Sequence, residues 1–432
     1  MHSAALRHSL NQLGNQASTY DKIFLHTFAP VMVDYVTWVL QSAKAEQIDR
    51  LYFLARDGWI MYEMAKALSR RLGYSIDLRY IHVSRYVLRN AEYSFTGREC
   101  LDTICVGGID ITFEKLMRRA ALTDEEISVV ASEVGFEDRL DEVLSYQQIQ
   151  DLKIRLDGLS NSLFEFIENH SGDFYKYISR YFKEQGLTDN CSWAIVDSGW
   201  LGTTAKSMSR VLTKVCDRKI PVKGFYFGLY EYPKDLPISW FKGFYIRPGK
   251  DIERKTRFSI CLFETLFSSP EGMTMGYEIL NGHVSAVKSA DGNINDAVMK
   301  RNLKLMLIYV SGLNIDTDKR ADSLLAEKFL TKIMGHPTRD EARVLGTLNF
   351  CDDVLESQMQ HVAAVWDKAE VRKQRFLKKI SIKFFKSQEK LHESGWPEGS
   401  IVNLLGEGIS SKWALFNERL YKRGMYVRKA IK

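Results

Sequence analysis

The sequence predicts an α/β fold: a parallel-sheet core carrying a large helical insertion, followed by a helical C-terminal region. Three observations predict it. Short apolar runs at 51–55, 76–83, 193–196 and 222–230 are too short for helices, and the first and third pass through a polar loop into an amphipathic helix. Between about 97 and 187 the pattern is helical and charged, with no convincing strand. From about 293 onward it is helical again. At 432 residues the chain exceeds one ordinary compact domain, so two or three modules are expected: a helical segment 1–48, the α/β core 49–290 and a helical region 291–432.

Taken in order, residues 18–48 place Ile23, Phe24, Phe28, Val31, Met32, Tyr35, Val36, Val39 and Leu40 at helical spacing, with Pro30 expected as a break. Leu51-Tyr-Phe-Leu-Ala55 reads as a buried strand ending in Arg56-Asp57-Gly58, and a helix follows up to Gly73. The strand 76–83 leads into Ser84-Arg85, which completes one βαβ unit. The sheet resumes at Trp193–Val196, with a helix over 203–215 and a strand over 222–230. Short β-like pieces follow at 241–246, 274–280 and 283–287.

Composition excludes some classes. Cys100, Cys105, Cys191, Cys216, Cys261 and Cys351 are scattered without a CxxC or metal spacing, as in a reduced cytosolic protein. The N-terminus lacks the apolar run of a signal peptide, and no window is expected to reach 18 uncharged apolar residues. The net charge of +6 decides little overall, and no nucleic-acid partner is expected. It concentrates near the end: 371–390 holds eight Lys/Arg, with Phe376, Leu377, Ile380 and Phe384 at helical spacing. The last twenty-one residues hold seven more. Such helices suit anionic membrane surfaces as well as plain solvated faces, so the expected location is cytoplasmic, with peripheral contact at the inner membrane face.

The stretch Val196-Asp-Ser-Gly-Trp-Leu-Gly-Thr-Thr204 carries the strongest chemical signal. An apolar strand, an acid, a Gly/Thr loop and a helix together build an anion site, because loop N–H groups and the helix dipole favour negative charge. Asp197 suits hydroxyls or a metal-bound sugar, so a phosphorylated, hydroxyl-bearing ligand is expected. The loop Leu54-Ala-Arg-Asp-Gly58 ends a second strand, and Ser84-Arg85, with Arg89 nearby, ends a third. Arginine holds phosphate through its bidentate fork. His82, Trp59 and Trp200 read chiefly as packed side chains, and Arg247 as a turn residue.

This paired arrangement resembles the type I phosphoribosyltransferase (PRTase) fold. More closely, the FLARDG, SR and VDxGWxGT-like segments resemble PRTase-like glycosyltransferases of bacterial surface-polysaccharide (O-antigen or capsule) biosynthesis, often fused to a haloacid-dehalogenase-type phosphatase. The resemblance covers roughly 45–90 and 190–280. It implies transfer of ribofuranosyl 5-phosphate from phosphoribosyl pyrophosphate (PRPP) to a growing or lipid-linked glycan, with release of pyrophosphate and use of Mg²⁺. By the resemblance, Ser198, Gly199, Trp200, Leu201, Gly202, Thr203 and Thr204 hold the 5-phosphate and Asp197 the ribose hydroxyls. Arg56, Asp57 and Gly58 face pyrophosphate and Mg²⁺, with Asp57 and Asp197 as metal ligands, and Ser84 and Arg85 complete the diphosphate end. The third segment, 263–272, offers Glu264 and Glu271 as candidate catalytic carboxylates, with Asp57 third. Two features depart from the family: Ser198 stands where a second acid is usual, and the loop is one residue shorter. No DxDx[TV] phosphatase motif follows any strand, so a separate phosphatase would act on the product.

Other readings of the same residues are a SAM-dependent methyltransferase, with Glu231 ending the next strand, and a phosphohydrolase with Asp57 as nucleophile. A non-catalytic PRTase-like binding protein is a further one.

Overall fold

The computed structural model describes residues 2–431 apart from 109–110, 291–293, 317–318, 351–358 and 385–388. Five parallel strands form the central sheet: β1 (Arg50–Leu54), β2 (Asp77–Ile81), β3 (Trp193–Trp200), β4 (Lys223–Leu229) and β5 (Phe241–Ile246), in the order β2-β1-β3-β4-β5. The expected α/β class with a parallel sheet is therefore present. Strands buried on both faces need apolar side chains throughout, which explains runs such as Leu51-Tyr-Phe-Leu54, all buried.

Helices cover both faces. The helix Gly58–Leu72 packs Ile60, Met61, Met64 and Leu68 into one core, together with the N-terminal helix and C-terminal residues as far as Leu415. The helices Arg85–Thr96 and Thr203–Cys216 pack into the other core through Val87, Leu88, Met208 and Val211. The insertion is helical and builds a satellite core of its own around Phe113, Leu116, Val130 and Leu152. A hairpin of β6 (Thr274–Leu280) and β7 (His283–Lys288) lies by the end of β2, where the Tyr277 hydroxyl donates to the His82 carbonyl at 2.8 Å.

Three expectations need correction. Pro30 does not break the helical run Thr19–Ala45: a wide π turn over Phe24–Phe28 precedes it, and Pro30 sits in the first turn of Ala29–Ala45. The missing N–H and the ring are absorbed where the helix is already widened. Second, no membrane-spanning helix was expected because no uncharged window of 18 residues occurs; the helical run Thr19–Ala45, although Asp34 interrupts it, is by length and composition apolar enough to cross a membrane, and 78% of its apolar window is buried inside the protein. Third, the segment expected to leave the sheet after Val196 continues as strand through Trp200, pairing Asp197 with Tyr226 and Gly199 with Gly228. Gly199 takes φ +106°, and a Cβ there would stand 2.5 Å from the Gly228 carbonyl oxygen. Only a residue without a Cβ fits at position 199.

No disulfide joins the described cysteines, of which Cys100 and Cys105 are buried; Cys351 lies outside the described residues. In the basic stretch, Lys373, Lys378, Lys379 and Lys383 pair with Glu370, Glu389, Glu418 and Glu393. Much of its charge is thus spent within the molecule. The Phe384 side chain lies outside the described residues.

Candidate functional site

The helices after β1 and β3 leave on opposite faces of the sheet, which opens a crevice between the carboxyl ends of these neighbouring strands. Open parallel sheets bind ligands at such a switch point. Here the two strand-end loops meet. Asp57 precedes the first residue of helix Gly58–Leu72, and its carboxylate accepts a hydrogen bond from the Ser198 hydroxyl. Gly58 is required at that turn, because a Cβ would lie 2.9 Å from the carbonyl carbon of Phe53.

Asp57, Asp197 and Glu264 form a cluster of interacting carboxylates, with Arg56 and Arg85 as the nearby cations. Each acid keeps an edge toward solvent yet is crowded by protein. Desolvation first, then the charge of Asp57, pushes Asp197 up to about 8 and Glu264 up to about 7. Asp57 is also raised by desolvation, against the Ser198 hydrogen bond and the two arginines. Glu264 lies on helix Ile260–Leu266, and Trp200 Nε1 donates to its Oε1 at 2.7 Å. The Trp200 ring itself packs against Phe258, Phe263 and Tyr230, so it serves the core and aims one polar atom at the site.

The rest of the predicted anion loop is compact. Leu201 is exposed, Gly202 adopts φ +62° before helix Thr203–Cys216, and Thr203 and Thr204 open that helix. Ser84 caps helix Arg85–Thr96 through the Val87 N–H and donates to the Thr274 carbonyl at 2.6 Å, a structural role. Further along that helix, the half-buried Arg89 guanidinium neighbours Glu92, and desolvation lowers its pKa.

Glu271 sits apart from the three acids, beside the end of β2, with Lys288 Nζ at 2.7 Å and His82 Nδ1 at 3.8 Å. His82 is held below its ordinary value, by desolvation first and then by Lys288. Trp59 is partly buried against the core, and Arg247 is engaged by Asp251 at 2.8 Å. Glu231 is exposed after β4.

One contributor was invisible in the sequence. The buried Tyr35 hydroxyl donates to the carbonyl of Asp197 at 2.9 Å and that of Phe225 at 3.0 Å, fixing β3 under the site. Its helical spacing marked it only as core.

Among the described residues, no three His, Cys, Asp or Glu side chains could cage a metal by themselves. Mg²⁺ needs less, since one or two carboxylates plus water and substrate phosphate complete its shell. Asp57 and Asp197, whose charges oppose one another in a desolvated crevice, fit that donor set. No protein-family model matches the chain, and no curated protein matches it.

Proposed function

We propose that the chain is a PRPP-dependent glycosyltransferase that moves ribofuranosyl 5-phosphate to a hydroxyl of a glycan or lipid-linked acceptor and releases pyrophosphate. The observation carrying this reading is the meeting of Asp57, Asp197 and Glu264 with Arg56 and Arg85 at the β1/β3 switch point. Arg56 and Arg85 offset the diphosphate charge, and the N-terminus of helix Thr203–Cys216 suits the 5-phosphate. Asp197 binds ribose hydroxyls. Mg²⁺, when bound by Asp57 and Asp197, would neutralise the leaving diphosphate.

In the transfer, the acceptor oxygen bonds to the anomeric carbon while the carbon–oxygen bond to diphosphate breaks. The electron pair leaves with pyrophosphate. The hydroxyl proton passes to Glu264, whose carboxyl, raised to about 7, is matched to neutral pH. Incubation with PRPP, Mg²⁺ and candidate acceptors tests the reading: pyrophosphate release with a phosphopentosyl mass gain on the acceptor is expected. Its absence across acceptors, with PRPP intact, argues against it.

A further inference from the structure

We infer that the outward face of the C-terminal helix Ile409–Ile431 docks on an anionic phospholipid surface. This goes beyond the transfer reaction and stands independently of the donor. Ile409, Trp413, Phe416, Leu420 and Val427 are all exposed, the first three at 87%, 58% and 44%. At about 100° per residue they fall within an arc of roughly 60°, a single narrow stripe. Trp413 and Phe416 stack along it, with centroids 5.7 Å apart.

The stripe is not a loose helix awaiting burial. Its opposite face is anchored by buried Leu415 and Tyr421 and by the ion pairs Glu418–Lys379 and Lys422–Glu398, each at 2.7 Å. The apolar residues therefore face outward in the folded protein.

Charge selects the occupant. Lys412, Arg419, Arg423 and Arg428 flank the stripe, and the only acid between Ile409 and Ile431 is the inward Glu418. Arg423 also reaches Glu253 at 3.0 Å, and Arg419 lies over the Phe416 ring at 5.9 Å. A second copy would set like charges along both sides of the seam, which opposes self-pairing. An anionic bilayer meets both features, with Trp and Phe at the headgroup boundary and cations beside lipid phosphates.

The test is co-sedimentation of the full chain with vesicles of phosphatidylglycerol and phosphatidylcholine, or of phosphatidylcholine alone. Binding to the anionic vesicles is expected, weakened by salt and by Lys412→Glu. The double variant Trp413→Asp/Phe416→Asp, at exposed positions, should keep its melting temperature and lose about tenfold or more of the binding. Three results overturn the inference: no binding to anionic vesicles, equal binding by the double variant, or a solution dimer that this variant converts to monomer.

Discussion

Trp200 Nε1 donates to Glu264 Oε1 at 2.7 Å, tying the end of β3 to the helix that supplies the proposed base. The bond stabilises the carboxylate and opposes the desolvation that raises Glu264 to about 7. Trp200→Phe keeps most of the ring packing and removes the donor. The acidic limb of the pH–rate profile should then move to higher pH, with turnover at pH 7 reduced about tenfold. An unmoved limb would show that Glu264 is not the titrating base.

The carboxylate cluster also predicts a pH dependence of stability. Asp197 titrates near 3.8 when unfolded and about 8 when folded. Its native state thus binds the extra proton, and its contribution is fully present below about 3.8 and lost as pH rises toward 8. Asp197→Asn, which cannot ionise, should raise the melting temperature by about 2–4 °C at pH 9. The gain should vanish near pH 4. Thermal melts of both proteins across that range check the sign.

Ser198 is buried and donates to Asp57. Ser198→Ala leaves a desolvated carboxylate short of one donor, at a cost of about 1–3 kcal/mol. It should also move the pKa of Asp57 further upward. Chemical denaturation of the two proteins reads the first effect, and the pH dependence of the difference reads the second.

Gly199→Ala meets two obstacles, a φ of +106° and the Gly228 carbonyl oxygen 2.5 Å from the new Cβ. A loss of about 2–4 kcal/mol is expected. Unchanged stability would mean that β3 can leave the sheet after Val196 without cost.

These residues also show where the sequence is readable. Asp57, Asp197 and Arg85 were legible because parallel strands expose their carboxyl ends to ligand, and each residue ends or follows an apolar run. The strand conformation of Ser198-Gly-Trp200 was not, since Ser and Gly read as turn residues. Their strand conformation depends on Gly228, a partner far along the chain. Tyr35 was hidden because a buried tyrosine and a buried phenylalanine produce the same helical periodicity. Pro30 misled for a related reason: the π turn that accommodates it has no separate sequence signal. Glu264 fell between the cases, because its segment drew notice but only the fold brings it to Trp200.

Whether the β1/β3 crevice holds the pentosyl donor is decided by calorimetric titration of the protein with PRPP in the presence of Mg²⁺. Saturable binding is expected, abolished by Asp197→Ala while the variant remains folded by circular dichroism. No binding at millimolar PRPP, or equal binding by Asp197→Ala, would rule out a PRPP site at Asp197.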